Sequence, residues 1–295
     1  MTPSAFETNT QPTALANAQA HVKSVAARST LATTSHDDGD MVWRVWGNKG
    51  PNLVLLHGGS GSWTHWIHTI PAFEHSHRIY AADLPGLGDS PTPRLPSSLS
   101  SVAGIVAAGI EQLVPHDESV DLVTFSFGGA IGAQVAALSA ARTQSLTLIG
   151  TPPFGIAHDS PANEITAVGK SLCFDEAREF HARNLRLLML SDTGSVDELA
   201  LHIHHENLRR ARLKSRKIIR DDTAQRALRD TRCHLRGVWG EQDTTIHPNL
   251  DAIRRLLVEV DASATFDIIT AAGHWAPFEK PFKFNKLLAR RLTET

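Results

Sequence analysis

Val120-Asp121-Leu122-Val123-Thr124-Phe125-Ser126-Phe127-Gly128-Gly129-Ala130 is the stretch on which the reading of this chain turns. An apolar, β-prone run ends on a serine, and small residues follow at once: Gly128, Gly129, Ala130, Gly132 and Ala133. The pattern predicts a strand turning sharply into a helix, with Ser126 at the turn. Such a turn strains the serine backbone and lifts its hydroxyl above the sheet. The positions two before and two after must be small, because strand and helix nearly touch there. Here they are Thr124 and Gly128, so a threonine stands where glycine is usual. Taken alone, the segment fits a plain glycine loop equally well.

Distant segments shift that balance. A nucleophilic serine needs a base within hydrogen-bond reach, and the base needs an acid to orient it. Downstream, Leu235-Arg236-Gly237-Val238-Trp239-Gly240-Glu241-Gln242-Asp243 reads as a strand opening into a loop that carries an aspartate. Phe266-Asp267-Ile268-Ile269 is another strand, followed by Gly273-His274-Trp275. Each candidate falls just past the carboxyl end of its strand, the edge where open parallel sheets bind ligands. Asp243 also suits a simple turn, being followed by two threonines, and His274 a surface position. Upstream, the buried strand Leu53-Val54-Leu55-Leu56 leads into His57-Gly58-Gly59-Ser60-Gly61. A loop of this kind supplies one backbone N–H of an oxyanion hole, from Gly59 or Ser60, and Phe127 supplies the other. His57 is then expected to hold the glycine loop by hydrogen bonds rather than to act as base.

With these motifs in this order the chain resembles the α/β-hydrolase superfamily, from about residue 42 onward. The resemblance rests on His57-Gly58-Gly59, Asp83-x-Pro85-Gly86-x-Gly88-x-Ser90, Ser126 in its turn, Gly240-x-x-Asp243 and Gly273-His274. It implies a Ser126–His274–Asp243 triad. The stretch from Gly273 to Glu279, with Phe284-Asn285, looks like the C–C bond hydrolases of aromatic meta-cleavage pathways. Those enzymes typically carry an asparagine before the nucleophile, where this chain has Phe125.

Bulk properties narrow the field. The chain has 295 residues, 41% of them apolar, enough for a large core. A net charge of −2 gives no reason to expect nucleic-acid or anionic-membrane binding. Two distant cysteines, Cys173 and Cys233, imply no disulfide framework and suit a reducing compartment. No apolar run approaches a membrane span, and residues 1–19 do not read as a secretory signal, so a cytoplasmic location is expected. The oligomeric state stays open, a homo-oligomer included.

Along the chain, residues 1–25 read as a loose N-terminal arm with a short helix near residues 13–27. Strand-like segments at 30–34 and 41–46 flank Asp37-Asp38-Gly39-Asp40 as a hairpin. Strands at 53–56, 78–82, 120–125, 145–149, 235–239 and 265–269 alternate with helical segments. That alternation predicts an α/β fold, mostly parallel, with helices on both faces. Thr151-Pro152-Pro153 ends the sixth core strand, and residues 151–232 read as helical and charged. The core is therefore expected in 26–150 and 233–295. The resemblance makes 151–232 a helical cap that would roof the pocket and exclude water.

Sixteen histidines invite a metal reading. The densest cluster, His202-x-His204-His205-Glu206, lacks the spacing of a zinc site, and no metal or cofactor is expected. Arginines 209, 210, 212, 216 and 220 suit a solvated face. Alternatively, one or two, Arg209 and Arg210 first, turn inward to hold a substrate carboxylate. Trp275 and Phe125 are further candidates for contacting substrate, while Trp63 and Trp66 suit either pocket or core. The expected activity is hydrolysis of a carboxylic ester of a small, mainly apolar substrate by Ser126, His274 and Asp243. The alternatives are C–C bond hydrolysis of a 2-hydroxy-6-oxo-dienoate and, in another class, a ligand receptor.

Overall fold

Every residue of Asn52–Leu56 is buried, as a strand covered on both faces requires. That strand lies inside an eight-stranded sheet seen in the computed structural model, which describes residues 11–93, 97–151, 161–219, 222–246 and 249–294. Pro152, Pro153 and Arg220 lie outside the described residues. The strands are β1 Thr30–Thr34, β2 Met41–Trp46, β3 Asn52–Leu56, β4 Arg78–Asp83, β5 Val120–Phe125, β6 Thr143–Ile149, β7 His234–Gly240 and β8 Thr265–Ile269. Their order is β1-β2-β4-β3-β5-β6-β7-β8. The β1–β2 and β2–β4 pairs are antiparallel, and the rest of the sheet is parallel. The carboxyl ends of β3, β5, β6, β7 and β8 therefore point to one edge, where the loops carrying His57, Ser126, Gly150, Asp243 and His274 emerge.

The helices are α1 Gln11–Ala26, α2 Ile70–Phe73, α3 Leu99–Leu113, α4 Phe127–Leu138, α5 Phe174–Leu188, α6 Glu198–Arg210, α7 Ser215–Ile218, α8 Thr223–Asp230, α9 Leu250–Val260, α10 Ala276–Glu279 and α11 Pro281–Thr293. Successive residues of β3 feed opposite cores. Val54 and Leu56 join α3, α4 and α9 on one face, and Leu53 and Leu55 join Trp66, Phe278 and Phe284 on the other. Trp63 and Trp66 are buried in this second core, which settles their choice in favour of packing.

Two expectations are refined. The helix expected near residues 13–27 is present as α1, and it is docked rather than part of a loose arm. Helix α1 packs on α6, Val25 is buried, and the indole N–H of Trp46 donates to the Val25 carbonyl at 2.9 Å. The segment is poor in large apolar residues, but one buried valine and one captured carbonyl suffice to dock it. Helix α8 also stands apart from the insert assigned to residues 151–232. It packs on α4, and its Ala224 and Leu228 belong to the main core. Among the described helices of the insert, α5, α6 and α7 are those left outside the main core's α4–α8 packing. No described helix is long and apolar enough to cross a membrane.

Candidate active site

Ser126 has φ 51° and ψ −118°, a left-handed conformation that costs a non-glycine residue about 1–3 kcal/mol. Its N–H still donates to the Ile149 carbonyl at 2.8 Å, so the turn is anchored to β6 before α4 begins at Phe127. A methyl group on Gly128 would sit 2.5 Å from the Leu56 carbonyl oxygen and 2.7 Å from that of His57. Nothing larger than glycine fits there. Thr124, in place of the usual small residue, is accommodated one turn into α4. A methyl group on Gly132 would lie 2.5 Å from its Cγ2, and its hydroxyl donates to the Thr147 carbonyl at 2.8 Å. Gly132→Ala is expected to overpack this contact and cost about 1–3 kcal/mol in denaturant unfolding. Thr124→Ser, which removes Cγ2, should relieve most of that loss. An additive double mutant would refute the pairing.

The turn leaves Ser126 partly exposed among buried neighbours. Its Oγ lies 2.9 Å from His274 Nε2, and His274 Nδ1 lies 2.9 Å from Asp243 Oδ2. Asp243 is 1% exposed, and its other oxygen accepts from the Thr245 N–H at 2.9 Å and hydroxyl at 2.6 Å. A carboxylate in this position keeps the imidazole proton on Nδ1 and leaves Nε2 free to accept from the serine. Between acid and base stands Gly150, with φ 52°. A methyl group there would lie 3.0 Å from His274 Nδ1 and 3.3 Å from Asp243 Oδ2.

The histidine loop is fixed from both sides. The buried Glu279 carboxylate accepts from the Gly273 N–H at 2.5 Å, the Ser191 hydroxyl at 2.9 Å and the Asp192 N–H at 2.6 Å. The Trp275 N–H donates to the Met189 carbonyl at 2.8 Å. The loop after α5 and the loop after β8 therefore share one buried carboxylate.

Across the site, Gly59 lies beside Phe127. Ser60 has φ 52° in the same loop. As the first residue of α4, Phe127 has an N–H with no acceptor inside the helix. His57 braces this loop, with Nδ1 donating to the Gly58 carbonyl at 2.8 Å and Nε2 accepting from the Leu84 N–H at 2.9 Å. Burial pushes the His57 pKa down to about 4, so the ring is neutral at pH 7. His65 accepts from the Gly58 N–H at 3.2 Å, and burial also lowers its pKa. Asp83 accepts from the N–H groups of Trp63 and Asp89, both at 2.8 Å, while burial raises its pKa to about 6.

The remaining candidates fall elsewhere. Trp275 is 1% exposed, and its indole N–H donates to the His65 carbonyl at 3.0 Å. Phe125, also 1% exposed, packs its ring 5.0 Å from that of His274, so it supports that imidazole from within the core. Arg209 pairs with Glu206 at 3.4 Å and faces a separate cavity of about 340 Å³, lined also by Gln19, Phe174 and His202. Arg210 pairs with Asp89 at 2.9 Å and stays about half exposed. The structure thus does not bring Arg209 or Arg210 to Ser126, because carboxylates of the chain itself already engage them. Among the described residues, no group of three or more His, Cys, Asp and Glu is arranged to hold a metal ion.

Thr245 and Gly150 belong to the site without belonging to any motif, and Glu279 ends the stretch from Gly273 to Glu279 with no role of its own assigned there. An Asp-Thr-Thr turn is the one signal for Thr245, through the bond a side-chain carboxylate makes two residues on. Gly150 follows β6 directly, a place where glycine marks either a turn or a close approach.

A profile of the alpha/beta hydrolase family matches residues 53–287. The chain is 26% identical to the dihydrolipoyllysine-residue acetyltransferase component of an acetoin cleaving system from Cupriavidus necator, over 83% of its own length and 64% of that protein's. It is 24% identical to a 2-hydroxy-6-oxononadienedioate/2-hydroxy-6-oxononatrienedioate hydrolase from Cupriavidus pinatubonensis, over 92% of this chain and 98% of the relative. Among solved structures, the esterase RhEst1 from Rhodococcus sp. ECU1013 superposes with a TM-score of 0.75 at 21% identity, over 90% of this chain and 99% of that one.

Proposed function

The chain belongs to the alpha/beta hydrolase family, and from that premise we propose that it is a serine hydrolase cleaving a carboxylic ester of a small, mainly apolar substrate. The observation that carries this reading is the unbroken run from Ser126 Oγ through His274 to Asp243, each link 2.9 Å. His274 takes the Ser126 proton as the oxygen attacks the ester carbonyl. Asp243 holds the imidazole in the productive tautomer and offsets its positive charge. The N–H groups of Phe127 and of Gly59 or Ser60 hold the oxyanion. His274 then gives its proton to the leaving alkoxide, and water activated by the same ring frees the acid from Ser126. Helices α5 to α7 are read as the roof that keeps bulk water from this sequence of steps.

A second reading is kept because the dienedioate hydrolase of Cupriavidus pinatubonensis matches over nearly its whole length. C–C cleavage needs a cation for the substrate carboxylate and a polar donor near the nucleophile. Arg209 and Arg210 are already paired, the Trp275 indole N–H is engaged, and Phe125 has no donor. These features favour the ester. The test is kcat/KM on p-nitrophenyl esters of increasing acyl length against 2-hydroxy-6-oxo-dienoates. Esters are expected to win. A preference of about 100-fold or more for the dienoates would transfer the assignment to C–C hydrolysis.

A further inference from the structure

Ser215 opens α7 and is 8% exposed. A methyl group on Gly59 would lie 2.5 Å from its Oγ, 3.4 Å from its Cβ and 3.7 Å from the Cβ of Phe127. The hydroxyl is therefore the part of Ser215 nearest Gly59, and it shares that backbone's side-chain face with Phe127. Among the described residues no hydrogen bond engages this hydroxyl, although the residue is buried. The hydroxyl is not among the buried atoms that lack a partner, so it opens onto accessible space beside Gly59, where it is free to donate to a ligand oxygen.

The chain leading to Ser215 is held firmly. The N–H groups of Arg212 and Leu213 both donate to the Gly86 carbonyl, at 2.8 and 3.1 Å. The Arg212 guanidinium donates to the carbonyls of Gly88, at 3.1 Å, and of Ser90. Asp83 clamps the same loop through the Asp89 N–H. Ser215 thus reaches the Gly59 loop from a fixed base.

We infer that Ser215 is a third donor of the oxyanion hole, supplied from the helices above the sheet. This rests on the acyl-enzyme reading given above. The Ser215 O–H turns toward the carbonyl oxygen of the substrate and donates to it. The bond strengthens as negative charge gathers on that oxygen in the tetrahedral state, so it acts on the transition state more than on bound substrate. No proton leaves Ser215. A hydroxyl suits the task because its hydrogen rotates to follow the oxygen.

The test compares wild type, Ser215→Ala and Ser126→Ala on a p-nitrophenyl ester, with inhibition by an alkylboronic acid that forms a tetrahedral adduct on Ser126. Ser215→Ala is expected to lower kcat about 10- to 100-fold and to weaken the boronic acid by a similar factor, with KM within about threefold. If kcat and boronic-acid affinity both stay within about twofold of wild type, Ser215 only packs against Gly59 and the inference fails while the hydrolase reading stands. A raised KM with unchanged kcat also overturns it, in favour of a pocket wall. If the wild type neither hydrolyses the ester nor reacts with a fluorophosphonate, or if Ser126→Ala keeps full activity, the hydrolase reading itself fails, and this inference with it.

Discussion

Ser126→Ala is expected to lower ester hydrolysis by about 1,000-fold or more while leaving the fold intact. The substitution removes the hydroxyl that lies 2.9 Å from His274 Nε2, and keeps the anchoring bond from the residue's N–H to the Ile149 carbonyl. Alanine is also a non-glycine residue at the same positive φ, so the backbone strain is unchanged and thermal unfolding should move little. His274→Ala should match the loss, since a serine without a base is a poor nucleophile. Asp243→Asn should cost no more than His274→Ala. Steady-state kinetics on a p-nitrophenyl ester check all three, together with fluorophosphonate labelling, which should be abolished in Ser126→Ala and sharply reduced in His274→Ala. Wild-type turnover in purified, folded Ser126→Ala would end the nucleophile assignment.

Acidification from pH 7 to pH 5 is expected to lower the stability of the protein. Burial lowers the pKa of His57 and of His181 to about 4, and that of His204 to about 3. His181 Nε2 and His205 Nδ1 lie 3.0 Å apart between α5 and α6, and His204 Nε2 is buried without a protein partner among the described residues. Unfolded, each of these rings takes up a proton near pH 6.5; folded, it does so only far below. The stabilisation is therefore complete above pH 6.5 and lost as pH falls toward 4. His57, fully buried, alone should withdraw about 2 kcal/mol between pH 7 and pH 5, and the other two act in the same direction. Asp83 opposes them. Its pKa is raised to about 6, so its contribution is present at low pH and is lost as pH rises through 6, which returns about 1 kcal/mol on acidification. Urea unfolding measured at pH 7, 6 and 5 should show falling midpoints. A flat profile would mean that these rings reach water more freely than their packing indicates.

The sheet and the three presumed catalytic side chains were legible because each rests on a local signal. An apolar strand ending on serine and glycines, and strands ending on Asp243 and on Gly273-His274, need no knowledge of distant partners. What stayed hidden depends on contact. Helix α4 begins directly at Phe127, and the close approach to the Leu56 and His57 carbonyls that requires glycine at 128 depends on contacts distant in sequence. Helix α8 carried the same charged, helical pattern as its neighbours, and only Ala224 and Leu228 meeting α4 separate it from them. Arg210 could not be assigned from spacing, because its partner Asp89 lies 121 positions away on another element, whereas Arg209 pairs with Glu206 one turn back on its own helix. Glu279 looks like any surface glutamate until Ser191 and Asp192 close over it.

The placement of His274 also bears on how the molecule is made. Ser126 leaves β5 in the middle of the sheet, whereas His274 follows β8, an edge strand paired only with β7. The two residues are 148 positions apart. Contacts this remote close late in folding, because the chain between them must be ordered first. A growing polypeptide can build the serine turn from β3, β5 and β6 while still lacking its base. On the proposed mechanism, Ser126 is then no more reactive than a free hydroxyl. On the same mechanism, chemical competence would come only when β8 docks, so turnover would report on completion of the sheet more sharply than helix content does.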